Sequence, residues 1–399
     1  MFPVRQIAMG ALLSASLLFA QDTPPVKAKD EVEQKRSPLW SAVPSTGGDL
    51  PSAMDVAKDK ASETGKKKKN EFLFAPIPMI NPTLGNGLGF VAGYLYSTDP
   101  GSPPSMSGLG AFRTSNGSWG VGALQKLHLK KDRLRITVGA GYLDLNYKFF
   151  GIGAGAGNAG EYLLINQNGW GFLTEGLLRI HGKWYVGPRY MLMRSRVGPH
   201  TGEEAAADAP PLPAVDLKLR TASLGPHLQR DSRDNEMYPR AGSLFNTQAG
   251  FYGKAVGGNR TYQSYQISLS KYMSVGKRQV LAVRGSSCFT SGAAPFYDLC
   301  GFQSKDVRGY AAGRYLDRYM LASQAEFRQE LPYRLGFVVF GGAGGVAPEL
   351  GAFQFNELRP GVGVGVRFRV TKQNHINLTA DYARGIGSSA FYVSVGEVF

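Results

Sequence analysis

The chain has few of the residues that build enzyme and metal sites. It contains 2 cysteines and 5 histidines in 399 residues, and the histidines do not fall at the spacings that zinc sites use. The motifs His-Glu-x-x-His and Gly-x-Ser-x-Gly, and a phosphate-binding loop ending in Lys-Ser/Thr, are all absent. We therefore expect no enzyme, no metal site and no cofactor.

Long apolar runs are also missing. After residue 20 no stretch of 18 apolar residues occurs, which argues against a transmembrane helix. The one clear apolar run, from Ile7 to Phe19, follows a basic region around Arg5 and precedes Ala20. This arrangement is typical of a secretory signal peptide. The mature chain is thus expected to be exported, and to be either soluble or membrane-spanning as a β-barrel.

Acidic residues are outnumbered, with 30 Asp and Glu against 45 Lys and Arg and a net charge of +15. Such a balance can favour nucleic acid, but an exported chain rarely meets any. A basic barrel lumen or a lipid-facing rim explains the charge better, so no nucleic-acid partner is expected. Glycine is abundant, at 52 of 399 residues, and aromatics make up 11%, as crowded strands and aromatic membrane girdles require.

The two cysteines, Cys288 and Cys300, are 12 residues apart. Export places them in an oxidising compartment, where a disulfide is expected. A pair of free thiols in a loop is the alternative.

Composition divides the chain into three parts. Residues 1–20 are the predicted signal peptide. Residues 21–70 are rich in Pro, Ser, Lys, Asp and Glu, with Trp40 as their one aromatic residue, and are predicted to be a disordered periplasmic leader. The leader ends in a lysine run that is either solvated or in contact with anionic lipid headgroups. Residues 71–399 are predicted to form an outer-membrane β-barrel.

From residue 71 onward the pattern is strand, turn, strand. An even strand number near sixteen gives a barrel with a real lumen. The sixteen predicted strands lie near 71–79, 85–97, 105–113, 117–129, 132–149, 162–181, 184–198, 216–230, 241–254, 261–275, 278–292, 314–331, 333–346, 358–371, 374–386 and 390–399.

Alternation with a period of two is clear in the stretch 361–370. The residues at even positions are four valines and Phe368, and the opposite face carries three glycines with Arg367 and Arg369. Apolar residues that face lipid and charged residues that face a lumen produce this pattern.

The chain ends with a similar pattern. Phe391, Val393, Val395 and Phe399 occupy one face of the last predicted strand. An alternating last strand closed by an aromatic residue is typical of bacterial outer-membrane barrels, and we expect it to act as the signal read by the barrel-assembly machinery. Glu397 interrupts the apolar face.

Five motifs carry a family resemblance. They are Val307-Arg308-Gly309-Tyr310, Gly313-Arg314-Tyr315, Asp231-Ser232-Arg233-Asp234-Asn235, Phe149-Phe150-Gly151-Ile152-Gly153 and Gln324-Ala325-Glu326-Phe327-Arg328. With these motifs, in their order along the chain, and with its terminal Phe399, the chain resembles the BamA/TamA superfamily of outer-membrane insertases and translocases, the bacterial surface-antigen barrels. The resemblance covers about 71–399.

The resemblance implies that a long loop folds into the lumen and that its tip, residues 307–310, is pinned to the inner wall. In the family the acid that holds the tip arginine often lies in a Phe-x-Asp-x-Gly stretch, but here Gly342 stands at the Asp position. The candidate partners of Arg308 are therefore Glu326, Glu330 and Asp381. An arginine in a lumen needs such a carboxylate because its guanidinium is a fixed fork of donors.

The resemblance also implies a function and partners. We expect a bacterial outer-membrane barrel that inserts or moves proteins, without the family's periplasmic substrate-receiving repeats. Its expected partners are outer-membrane lipid and either unfolded outer-membrane proteins or a periplasmic partner. The alternative is a passive channel or structural barrel, in which lumen arginines would favour anions.

Overall fold

The computed structural model describes residues 71–81, 84–100, 102–103, 105–199, 217–235, 238–369 and 377–399. Within these ranges sixteen strands form one antiparallel sheet. The strands are β1 (Glu71–Asn81), β2 (Gly85–Tyr96), β3 (Ser105–Thr114), β4 (Trp119–Leu129), β5 (Leu134–Phe149), β6 (Leu163–His181), β7 (Trp184–Pro199), β8 (Leu217–Asp231), β9 (Gly242–Tyr252), β10 (Tyr262–Ser274), β11 (Gln279–Gly292), β12 (Tyr319–Glu330), β13 (Leu335–Ala347), β14 (Arg359–Arg369), β15 (Asn377–Gly385) and β16 (Ser388–Val395).

Each strand pairs with the next along the chain, so the sheet order is the sequence order. The predicted all-β antiparallel fold is confirmed, and most strand limits lie within three residues of the predicted ones. The predicted signal peptide and leader lie outside the described residues. β16 lies beside β1, so the sheet curves back toward its own first strand.

Two strand predictions were wrong at their ends. The strand predicted from 314 begins at Tyr319, because the residues before it belong to a loop that packs against the sheet. The strand predicted to run from 390 to 399 ends at Val395. Gly396 follows with a φ of 90°, a left-handed conformation that glycine adopts readily and that breaks the alternation.

The faces of β14 follow the predicted alternation. Val362, Val364 and Val366 are 60%, 57% and 62% exposed, whereas Arg367 is 4% exposed. Apolar side chains therefore point away from the enclosed side of the sheet, and charged ones point into it. This inverted pattern is the one that lipid imposes on a barrel wall.

Aromatic rings form a row on the outward face. Tyr265, Phe289 and Tyr319 are register neighbours on β10, β11 and β12. Their ring centroids are 4.2 Å and 5.7 Å apart along the row. Such rows are typical of the girdles at membrane interfaces.

One short helix, α1 (Ala154–Ala159), lies between β5 and β6. The sequence did not predict it, because three of the residues from 153 to 157 are glycines, and glycine is a poor helix former. No helix in the described ranges is long and apolar enough to cross a membrane.

Candidate functional site

Loop 293–318 joins β11 to β12 and packs against the inner face of the sheet. Its side chains Phe302, Val307, Tyr310 and Tyr315 are buried together with residues of β12 and β13. Within the loop, Cys300–Gly301 pairs with Leu316–Asp317 as a two-residue ladder. The loop is therefore a folded element with its own apolar core.

The two cysteines attach this loop to the wall. Cys288 lies on β11 and Cys300 lies in the loop, and the structure joins them by a disulfide. Thr290 contacts the Cys300 sulfur from the same strand, at 3.4 Å. The start of the loop is thus covalently fixed to the strand from which it emerges.

Arg308, at the tip of the loop, has a fully buried side chain. Its Nη2 donates to Glu326 Oε1 at 2.6 Å, and its Nη1 donates to Asp381 Oδ2 at 2.7 Å. Its Nε donates to Gln324 Oε1 at 3.2 Å. The guanidinium carbon lies 3.3 Å from the centroid of the Phe340 ring. One side chain thereby joins β12, β13 and β15.

These contacts belong to a closed ring of six charges, which we call the charge ring. Its members alternate in sign around the ring, and each is buried with a side-chain exposure of 4% or less. In ring order they are Arg308, Glu326, Arg328, Glu397, Arg367 and Asp381. Three guanidinium groups face three carboxylates, so the ring has no formal net charge. That balance is what makes its burial tolerable.

The ion pairs of the ring are close. Arg328 Nε lies 3.1 Å from Glu326 Oε2 and 3.8 Å from Glu397 Oε2. Arg367 Nε lies 2.9 Å from Glu397 Oε2, and its Nη1 pairs with Asp381. Each carboxylate therefore faces two guanidinium groups, and each guanidinium group faces two carboxylates.

The residues after Arg308 contact the last strands. The Gly309 amide donates to the Tyr392 hydroxyl at 3.0 Å, on β16. The Tyr310 hydroxyl donates to the Pro360 carbonyl at 2.6 Å and accepts from the Ile386 amide at 3.0 Å. Gly309 has a φ of 109°, which favours glycine.

Glycines on the inner face of β14 and β15 provide the space for the tip. A Cβ added at Gly361 would overlap the Arg308 main-chain oxygen, and one at Gly385 would overlap the Tyr310 ring. At Gly365 it would overlap the Asp381 carboxylate. Glycine at these three positions therefore leaves the space that the loop tip and Asp381 occupy.

Comparison with known families agrees with this geometry. The Omp85 superfamily domain matches residues 183–399, the range that contains the loop tip and all six members of the charge ring. The chain belongs to the Omp85 superfamily. It is accordingly a bacterial outer-membrane β-barrel. No curated protein sequence matches the chain.

Solved Omp85-type structures share the fold at low sequence identity. BamA from Haemophilus ducreyi lacking POTRA domains 1–3 is 16% identical, with a TM-score of 0.56 over 82% of this chain and 70% of that one. CdiB from Escherichia coli is 10% identical, with a TM-score of 0.50 over 82% of this chain and 61% of that one. At these identities the likeness extends to the fold alone.

Of the three candidate acids, the structure brings two to Arg308. Glu330 is not one of them. It lies four residues beyond Glu326 along β12, where its carboxylate pairs with Arg240 at 2.9 Å and Arg369 at 3.0 Å. These two arginines belong to other elements that meet the same end of the wall, so Glu330 serves a separate network.

A carboxylate reaches Arg308 from a strand other than the one on which the resemblance implied it. Gly342 lies opposite Gln324 in the β12–β13 register, and a Cβ there would overlap the Ser323 carbonyl. The second carboxylate on Arg308 comes instead from Asp381, two strands further along. Gln324 adds a neutral acceptor on the near side.

Glu397 is the member of the ring that the sequence assigned to the wrong face. Alternation assigned it to the apolar face, but the turn at Gly396 directs it inward, where it also accepts from Asn377 at 2.8 Å.

Phe399 likewise leaves the sheet, and its main-chain oxygen accepts from Arg328 Nη2 at 2.6 Å. Phe391 stays outward at 39% exposure. The strand alternation therefore ends before Phe399, and the role of these residues as an assembly signal stays a prediction.

A second arginine of the loop makes different contacts. Arg314 Nε donates to the Gly157 carbonyl at 2.9 Å, and its Nη1 donates to the Gly387 carbonyl at 3.2 Å. It thereby connects the region of α1 and the β15–β16 turn to the loop through main-chain oxygens. It is not a member of the charge ring.

Asp298 is a buried acid in the same loop. It accepts from the Tyr262 hydroxyl, while its Oδ1 has no hydrogen-bond partner within the described ranges. Burial raises the pKa of Asp298 to about 7, because the ionised carboxylate loses its water. No group of three or more His, Cys, Asp or Glu residues in the described part of the chain is arranged to hold a metal ion.

Proposed function

We propose that this Omp85 barrel assists the insertion or passage of polypeptides at the seam between β1 and β16. The observation that supports the proposal is the loop tip itself. The tip is held on the inner wall by Arg308 and bonded to β16 through Gly309 and Tyr392. A displacement of the tip would therefore act directly on β16, the strand that borders the seam.

The lengths of the strands also favour activity at this place. β16 has 8 residues, whereas β6 has 19. Eight residues extend about 26 Å, which at a tilt of about 45° covers about 19 Å, less than an apolar band of about 25 Å. We infer that lipid beside the seam is thinned, which lowers the barrier to insertion.

The first strand adds a weakness of its own. Pro76 and Pro78 lie within β1, and each lacks the amide donor of an ordinary strand residue. A strand with fewer donors forms a weaker ladder with its neighbours. The substrates proposed for such a seam are unfolded outer-membrane proteins, which would meet lipid and barrel edge together.

The test is reconstitution of the full chain in liposomes. The folding rate of an unfolded reference barrel would be followed by heat-modifiable gel mobility, with Arg308→Met beside the wild type. Acceleration by the wild type and its loss in the variant are the expected results. Arg314→Met is the matched control, since it removes an arginine from the same loop but not from the charge ring. A wild type that does not accelerate folding would overturn the proposal.

The channel alternative loses its main support. It rested on lumen arginines that would favour anions, but Arg328 and Arg367 each face two carboxylates. Arg369 pairs with Glu330. These arginines therefore present little uncompensated positive charge to a passing anion.

A further inference from the structure

The four residues after β16, which we call the tail (residues 396–399), turn away from the membrane face. The Gly396 amide donates to the Asn377 carbonyl at 2.8 Å, and Glu397 accepts from Arg367 Nε at 2.9 Å. Arg328 donates to the Phe399 oxygen and lies 5.7 Å from the Phe399 ring centroid. The tail is therefore attached to the inner wall by Arg328 and Arg367, which also pair with Glu326 and Asp381, the two acids that hold Arg308.

We propose that the charge ring couples the loop tip to the tail, so that release of either one loosens the other. Arg308 and Glu397 occupy opposite positions in the ring. Arg328 and Glu326 connect them on one side, and Arg367 and Asp381 connect them on the other. The consequence for the seam rests on the proposed function; the coupling itself does not.

Charge balance gives the coupling its sign. With Arg308 withdrawn, three carboxylates face two guanidinium groups, and the ring holds one excess negative charge in a buried setting. An uncompensated buried charge is costly, so the acid that can leave most easily is expelled. That acid is Glu397, because the others lie within paired strands and the tail follows the last strand.

Release of the tail should loosen the tip for the same reason of charge balance. With Glu397 withdrawn, three guanidinium groups face two carboxylates. Arg328 and Arg367 then compete with Arg308 for Glu326 and Asp381, and the tip is held less firmly. Reciprocity of this kind is required of any two sites linked by a coupling free energy.

β16 is the mechanical connection. It contacts the tip through the Tyr392 hydroxyl and continues directly into the tail. Tyr392 in the middle of β16 is therefore held by the loop tip, and the end of β16 is held by the tail. Both attachments depend on residues of the charge ring. A coordinated release would free the last strand of the sheet from the inside.

The first experiment measures the tail while perturbing the tip. Both native cysteines are in the disulfide, so Val398→Cys adds a single free thiol to the full-length protein. Its rate of reaction with a water-soluble maleimide would be compared in the Arg308→Met and Arg314→Met backgrounds. Coupling free energies of usual size predict a rise of about 5- to 150-fold with Arg308→Met, and no comparable rise with Arg314→Met.

The second experiment reverses the direction and does not need an Arg308 variant to fold. Ala311→Cys reports on the tip, and Glu397→Gln perturbs the tail. Glu330→Gln is the matched control, since it removes an acid of the same wall that lies outside the ring. Faster labelling with Glu397→Gln than with Glu330→Gln supports the coupling.

Equal labelling in ring and control backgrounds would overturn the coupling. Neither experiment requires any insertion activity, so the liposome assay and the labelling assay can fail independently. A coupled ring in a protein that accelerates no folding would overturn only the proposed function.

Discussion

The loss of stability caused by removing one charge from the ring should be partly reversed when the charge paired with it is removed as well. Arg308→Met keeps apolar contact with Phe340 but leaves the ring with an excess negative charge. Asp381→Asn leaves an excess positive charge. The double variant has two guanidinium groups and two carboxylates, which is again a balanced set.

The magnitude follows from the burial of the ring. Each single substitution strands one buried charge, for which a cost of about 3–5 kcal/mol in the free energy of unfolding is usual. If the two effects were independent, the double variant would lose about 6–10 kcal/mol. Because balance is restored, we expect the double variant to lose no more than Arg308→Met alone.

Urea unfolding in detergent micelles, followed by heat-modifiable gel mobility, would measure these differences. The quantity of interest is the interaction free energy from the double-mutant cycle, which cancels effects that each substitution has by itself. Additivity within about 0.5 kcal/mol would refute this reasoning, because it would show that the buried charges of Arg308 and Asp381 do not compensate each other.

Three further predictions concern the loop and the wall that holds it. Gly361→Ala should displace the tip at a cost of about 1–3 kcal/mol, seen as faster hydrogen exchange at 307–310, whereas Gly285→Ala, which meets nothing within 4 Å, should not. The pKa of Asp298 lies above its unfolded value, so the folded state binds more protons and stability should fall as pH rises from about 4 to about 7; Asp298→Asn should flatten this slope of unfolding midpoint against pH, and an unchanged slope would refute it. Removal of the disulfide by Cys288→Ala with Cys300→Ala should lower the free energy of unfolding by about 2–4 kcal/mol. Addition of reductant to the wild type should lower the unfolding midpoint as much as this double substitution does.

The sequence alone, through its alternation, determined which side chains of the barrel wall face lipid and which face the lumen. The period of two in 361–370 assigned valines to lipid and arginines to the lumen, because side chains of a strand point to opposite faces whatever lies beyond it. The strand–turn–strand pattern from residue 71 onward likewise located the hairpins. Both signals are local, so they can be read along the chain without knowledge of its partners.

The tertiary structure decided which charges meet. Arg308 and Asp381 are 73 residues apart, and nothing in either neighbourhood distinguishes Asp381 from Glu330 as a partner. Sheet register and loop path bring one into contact and place the other in a separate network. Glu397 was misassigned for a related reason: alternation holds only while the strand continues, and the turn at Gly396 ends it where the buried arginines need a third carboxylate.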